Sequence, residues 1–226
     1  MKYYAIGDLH GRYDLLLDAL DKIYDHASRH TEGYKIITLG DYIDRGPQSK
    51  QVIERLMLQP DDVTICLKGN HEDMAVQVAG NPSFEMANWW HSNGGKATWD
   101  SYGGGLSNVD PEHIKWMANL PIYYETEKQL FVHAGVPQSD MNLPPKKAYA
   151  YQDMMWMLYD KTTAGGWKGK HVVHGHHQFD DGPHVWYGPK GGRTDLDVFA
   201  WKTGRIVVGV FDDTQGPAKE FIEVKA

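Results

Sequence analysis

The sequence contains one cysteine, Cys66, in 226 residues. No intrachain disulfide can form, so the fold rests on its apolar core. A chain of this length buries enough surface to do without covalent staples. Positive charge is in deficit: 23 Lys and Arg stand against 30 Asp and Glu, a net charge of −7, and the pI is near 5.9. That balance argues against a general nucleic-acid binder, which needs surplus cations to displace counterions. Long apolar runs are missing as well. None approaches the roughly 18 residues that cross a bilayer, so no membrane association is expected. The segment Met1-Lys2-Tyr3-Tyr4-Ala5-Ile6 is strand-like and has no signal-peptide apolar stretch. With the lone cysteine this predicts a reducing, cytoplasmic setting. No repeat of about 20–50 residues recurs, and no Gly-x-x-x-x-Gly-Lys-[Ser/Thr] loop is present to cradle a nucleotide phosphate. Hydrophobic residues at 41% and charged residues at 23% are ordinary globular usage, which argues against a disordered chain or a fibre. Histidine is plentiful: twelve of them point to metal or acid–base chemistry.

The first third has a regular rhythm. Lys2 to Ile6 reads as a buried strand. Tyr13 to Ala27 carries Leu16, Leu17, Leu20, Ile23 and Tyr24 at helical spacing. Tyr34 to Leu39 is a second strand, and Ser49 is placed to cap a helix bearing Val52, Ile53, Leu56 and Met57. Val63 to Leu67 is a third strand. Strands alternating with helices predict an α/β or related layered fold. The region from about Met74 to Leu120, with Trp89, Trp90, Trp99 and Trp116 and the turns Asn93-Gly94-Gly95 and Gly103-Gly104-Gly105, reads as a helical insert against the sheet. It is not read as a second domain, so residues 1–226 are expected to form one. Further strands are expected at Leu130–His133, His171–Val173 and Arg205–Phe211, the last after a turn at Lys202-Thr203-Gly204. Residues 141–170 show no clear pattern.

Three of these strands end alike. Ile6 leads into Gly7-Asp8-Leu9-His10-Gly11, Leu39 into Gly40-Asp41-Tyr42-Ile43-Asp44-Arg45-Gly46, and Lys68 into Gly69-Asn70-His71-Glu72. Any one of these alone reads as an ordinary turn, because Asp, Asn and Gly tolerate unusual backbone angles. Three in successive strands are hard to obtain from turns, and α/β sheets bind ligands outside the carboxyl ends of their strands. Phe131-Val132-His133-Ala134-Gly135 and Val172-Val173-His174-Gly175-His176-His177 repeat the theme of strand, polar side chain and glycine. The donors are carboxylates, an amide and imidazoles, with no thiolate, which suits Mn, Fe or Zn. A carboxylate such as Asp41 can bridge two ions, and a pair of ions suits in-line displacement at phosphorus.

The blocks Gly-Asp-x-His-Gly, Gly-Asp-x-x-Asp-Arg-Gly and Gly-Asn-His-Glu resemble those of the PPP-type metallophosphatases of the calcineurin-like metallophosphoesterase superfamily. Their order and spacing match over residues 5–75, and the two late histidine blocks extend the likeness to about residue 180. The stretch Trp90 to Tyr102, with Thr98, also resembles the helical region of small bacterial members. The resemblance implies an α/β fold: a two-sheet layered sandwich flanked by helices. It implies two divalent metal ions, Mn2+ before Fe or Zn. Asp8 and His10 would hold the first, Asp41 would bridge, and Asn70, His133 and His176 would complete the second. His176 matches the family's Gly-His block, which leaves His174 and His177 in supporting places. His71 matches the catalytic histidine that protonates the leaving oxygen, and Asp44 its carboxylate partner. A histidine titrating near neutrality suits that task. Arg45 and Asn70 would bind the phosphate, Arg45 through a bidentate pair. Glu72 and Asp73 read as supporting or helix-start residues.

One departure stands out. The family supplies a second phosphate-clamping arginine between the two late histidines, and no arginine occurs from Ala134 to His176. Lys161, Lys168, Lys170 or the distant Arg193 are the available substitutes. The expected activity is phosphomonoester hydrolysis by a hydroxide held between the two metals, without a phosphoenzyme. The substrate is expected to be a phosphorylated protein, at phosphoserine or phosphothreonine, or a small phosphoester. The alternatives are a symmetrical dinucleoside tetraphosphate hydrolase, a group that usually lacks the aspartate before this arginine, and a non-hydrolytic phosphate-binding module. The tryptophans and Cys66 read as packing residues, and Asp212-Asp213 as a solvated turn.

Overall fold

Strand β1 (Lys2–Ile6) is apolar on both sides because both its faces are covered. In a computed structural model, which describes residues 1–137, 148–160, 162–188 and 191–226, Tyr4 and Ile6 face a layer of helices. Tyr3 and Ala5 face a second sheet. The first sheet has the order β10-β9-β1-β2-β3, with β2 at Tyr34–Thr38, β3 at Thr64–Cys66, β9 at Arg205–Asp212 and β10 at Glu220–Lys225. Within it β1, β2 and β3 run parallel, while β9 and β10 are antiparallel neighbours. The second sheet has the order β4-β5-β6-β8-β7, with β4 at Tyr123–Glu125, β5 at Gln129–Val132, β6 at His171–His174, β7 at His184–Gly188 and β8 at Gly191–Asp195. Here β5, β6 and β8 are parallel, flanked by antiparallel β4 and β7.

The two sheets meet across Ile37, Leu39, Phe131, Val173, Leu196 and Phe211. The expected two-sheet α/β sandwich is therefore the fold. Helices α1 (Tyr13–Ser28) and α2 (Ser49–Met57) cover the outer face of the first sheet. Leu16, Leu20 and Ile23, and Val52, Ile53 and Leu56, are turned into that core. Each such side chain, fully buried, contributes about 1.5–3 kcal/mol. Helices α3 (Asn70–Gly80), α4 (Phe84–Trp90), α5 (Lys96–Ser101) and α6 (Pro111–Asn119) add Met74, Trp90 and Met117 to the same core. Helix α7 (Ala148–Trp156) follows β5 in sequence, and its Met154 packs behind the second sheet with Leu130, Val132, Trp167 and Val172.

Two local expectations are corrected. Ser49 is not the cap of α2; Gln48 occupies that position. The Ser49 hydroxyl instead accepts the Asp44 N–H at 3.0 Å and lies 3.0 Å from the Thr98 hydroxyl, so it serves the site. The turn expected at Lys202-Thr203-Gly204 is the end of a short helix, α8 (Ala200–Thr203), closed by Gly204 in the left-handed region.

Candidate metal centre and active site

All six parallel strands, three from each sheet, point their carboxyl ends at one place. After β1 come Asp8 and His10, after β2 Asp41, Asp44 and Arg45, and after β3 Asn70 and His71. Residue His133 follows β5, and His176 follows β6. The close approach of the two sheets depends on glycine. A Cβ on Gly40 would lie 2.9 Å from His133 Nδ1, and one on Gly175 would lie 2.0 Å from Asp8 Oδ1. Among the described residues seven non-glycines have left-handed backbone, and five of them are His10, Asp41, Asp44, Arg45 and His176. Such angles cost about 1–3 kcal/mol each and persist where surrounding structure enforces them. Here Glu72 is part of the enforcement. Its carboxylate accepts the N–H groups of Asp41, Tyr42 and Gly69 at 2.8–2.9 Å.

Asp41 lies at the middle. Its Oδ2 is 3.5 Å from His10 Nε2 and 3.8 Å from His71 Nε2. Its Oδ1 is 3.3 Å from His133 Nε2. Two ligand-competent groups share it: His10, Asp41 and His71, and Asp41, His133 and His176. The residues of the second are among those the sequence assigns to the bridge and the second ion. In the first, His71 stands where Asp8 was expected. Asp8 accepts the His176 N–H at 3.2 Å on both oxygens. The hydrogen-bond pattern fixes the tautomers. His10 Nδ1 donates to the Ile43 carbonyl and His133 Nδ1 to the Leu39 carbonyl, both at 2.9 Å, so each Nε2 presents a lone pair inward.

Divalent cations fit this donor set. Asn70 Oδ1 lies 2.8 Å from His133 Nε2, acceptor against acceptor. Only a cation, or rotation of the amide to aim its NH2 at His133, His176 and Asp41, satisfies those lone pairs. On the other side the Arg45 guanidinium plays the cation, 2.9 Å from His10 Nε2 and 3.1 Å from His71 Nε2. Burial pushes the Asp8 pKa well up, with Asp197 and Asp41 adding to it, so its carboxylate form calls for a nearby cation. Burial lowers the pKa values of His10 and His133, and that of His176 to about 3. Burial opposes ionisation of Asp41 too, yet the four histidines around it, His133 first, hold its pKa down. Neutral imidazoles beside carboxylates are the protonation states that ligate metal.

His71 is held differently. Its Nδ1 meets Asp44 Oδ2 at 2.6 Å. The same carboxylate accepts Trp90 Nε1–H at 2.8 Å and the Thr98 hydroxyl at 2.6 Å. Burial disfavours the imidazolium, but Asp41 and then Asp44 outweigh it, so the His71 pKa is raised. Arg45 lines a recess of about 300 Å³ with Ser92, Asn93, Gly94 and Trp201. The Arg45 N–H donates to the Gly94 carbonyl at 3.1 Å. Trp90 and Trp201 thus serve or border the site in ways no motif announced.

The proposed arginine substitutes are elsewhere. Arg193 is buried, stacked 3.3 Å from the Trp186 ring centroid, and donates to the Thr163 carbonyl and His174 Nε2. Its guanidinium is used inside the second sheet's packing. Lys170 is taken up by Glu125 and the carbonyls of Thr126 and Glu127, and Lys168 lies over Trp167. Lys161 falls outside the described residues. His174 and His177 have partners of their own: His174 meets Arg193, and His177 accepts the Tyr159 N–H at 3.3 Å.

Residues 1–209 match the family described as calcineurin-like phosphoesterase. The chain belongs to that family. It is 29% identical over 190 residues to serine/threonine-protein phosphatase 2 of Escherichia coli, covering 79% of this chain and 80% of that protein. It is 31% identical over 140 residues to a symmetrical bis(5'-nucleosyl)-tetraphosphatase of Nitrosococcus oceani, covering 61% and 45%. Across curated relatives it spans from 24% to 80% of their lengths. A solved serine/threonine phosphatase from Saccharomyces cerevisiae superposes with a TM-score of 0.61 at 15% identity, covering 100% of this chain and 80% of that one, a likeness of fold.

Proposed function

We propose that this phosphoesterase is a phosphomonoesterase acting on phosphoproteins, at phosphoserine or phosphothreonine, with a dinuclear centre of divalent cations, Mn2+ first. Asp8, His10, Asp41, Asn70, His133 and His176 would hold the pair. The observation that carries the reading is the Asp44–His71 contact at 2.6 Å beside Arg45. The aspartate preceding the arginine is the feature that tetraphosphatases usually lack. Bound at these donors, divalent cations supply a water of lowered pKa and neutralise phosphoryl charge. The chain's own groups do the rest. Arg45 leaves the histidine lone pairs and takes the phosphoryl oxygens as a planar fork. His71 Nε2 gives a proton to the departing alkoxide, while Asp44 keeps Nδ1 protonated and the ring oriented. The leaving group extends into the recess beside Trp201.

A second reading, hydrolysis of dinucleoside tetraphosphates, is favoured by the tetraphosphatases among the relatives. Purified protein loaded with Mn2+ should turn over p-nitrophenyl phosphate and phosphoserine or phosphothreonine peptides. Selective cleavage of diadenosine tetraphosphate would transfer the assignment to the second reading. Binding of phosphate with no turnover of any of these would mark a non-hydrolytic module.

A further inference from the structure

Five of the six parallel strands deliver residues that the motifs single out. The sixth, β8, delivers Asp197, which belongs to none of them. Asp197 is 1% exposed and its Oδ2 has no hydrogen-bond partner. A Cβ built on Gly175 would lie 2.0 Å from Asp8 Oδ1 and 3.8 Å from Asp197 Cβ, so the two carboxyl groups are neighbours. Two buried carboxylates in contact repel unless a proton or a cation lies with them. The placement is enforced. The Asp197 N–H donates to Asp195 Oδ1 at 3.0 Å, and Asp197 Oδ1 accepts the Phe199 N–H at 2.8 Å, with Phe199 in left-handed backbone at φ 63°. A Cβ on Gly7 would lie 2.4 Å from the Leu196 carbonyl oxygen, so only glycine lets the β1 end approach the β8 end this closely. One oxygen of Asp197 is thus spent on positioning, and the other is buried without a hydrogen-bond partner.

We propose that Asp197 is a further residue of the metal centre, supplying its free carboxylate oxygen to the cation that Asp8 and His10 would hold. That cation is then gripped from both sheets, as the other one is by Asn70 on one side and His133 and His176 on the other. This rests on the metal-centre reading above.

The test is Mn2+ binding to Asp197→Asn, read by calorimetric titration and elemental analysis, together with melting of metal-free and Mn2+-loaded protein. Wild type should bind two Mn2+. In the variant one site should weaken by more than the roughly 10–100-fold that loss of a group merely orienting a ligand costs. The metal-free variant should melt at or above wild type, because a repulsion is gone, while its stabilisation by Mn2+ shrinks. A merely structural carboxylate would lower the metal-free melting point and leave the Mn2+ affinities unchanged, and that result overturns the proposal. Asp197→Ser provides the same readout without an amide oxygen to ligate. Wild-type protein that binds no divalent cation would instead sink the underlying reading.

Discussion

At the scale of single residues, the site is a competition for a few lone pairs and protons. Asp44 illustrates it: one buried carboxylate accepts from His71, Trp90 and Thr98. Asp44→Asn keeps the shape and removes the charge. It should leave metal content unchanged and lower kcat for phosphoserine peptides by about 10²–10⁴, the usual range for general acid catalysis. With p-nitrophenyl phosphate, whose leaving group needs no proton, the loss should be much smaller. Equal loss with both substrates would remove the proton-donor role of His71. Thr98→Val removes a hydroxyl that donates to Asp44 Oδ1 and accepts the Asp44 N–H, so it should lower stability by about 2 kcal/mol, roughly 1 per hydrogen bond. His71, Asp44 and Arg45 were singled out only through the family resemblance of the Gly-Asp-x-x-Asp-Arg-Gly and Gly-Asn-His-Glu blocks; the strand-end pattern itself pointed to Asp8, His10, Asp41 and Asn70. Trp90 and Thr98 were not legible as partners of Asp44. They lie 46 and 54 residues away in sequence, and no periodicity relates an indole or a hydroxyl to a carboxylate at that separation.

At the scale of elements, the parallel strands of the first sheet announced themselves as short apolar runs, because both faces are covered. The strand β8 did not. Gly191-Gly192-Arg193-Thr194-Asp195 carries polar side chains that burial would ordinarily forbid, and it is a strand because β6 and β7 pair with it on either side. Asp197 was missed for the same reason. Strand β10, Glu-Phe-Ile-Glu-Val-Lys, could have been read from its alternation. The kinked passage from α4 to α5 gives a test at this scale. Gly94 there has φ 104°, and a Cβ would lie 2.7 Å from Arg45 Cγ. Gly104 has a similar φ of 97° but nothing within 4 Å of a Cβ. Both Gly→Ala changes should cost about 1–3 kcal/mol of backbone strain, seen as a lower melting point. Only Gly94→Ala should also raise KM for phosphomonoesters, by displacing Arg45. A raised KM in Gly104→Ala would break that link between the turn and the arginine.

At the scale of the whole molecule, the two-sheet architecture followed from the family resemblance more than from periodicity, since the strands of the second sheet are only three to five residues long. Bringing six strand ends together also buries much of the chain's histidine. That makes stability depend on pH far from the site as well as within it. His171 shows the effect cleanly. It lies on β6, is 1% exposed, and its Nε2 meets the Thr194 hydroxyl at 2.7 Å. Burial lowers its pKa from 6.5 to about 4. The sign follows from linkage: between those values the unfolded chain binds a proton that the folded chain refuses, so stability rises with pH across the window and is lost as pH falls from 6.5 towards 4. At about 1.4 kcal/mol per pKa unit, the cost at pH 5 is about 2 kcal/mol. His171→Gln retains a partner for Thr194 and has no proton to gain. At pH 7 it should unfold at or slightly below the wild-type denaturant midpoint, for the imperfect fit. Between pH 7 and pH 5 the difference should move in the variant's favour by about 2 kcal/mol. Denaturant titrations of metal-free protein at the two pH values measure that shift, and parallel pH profiles for variant and wild type would show that His171 is not a source of the acid lability.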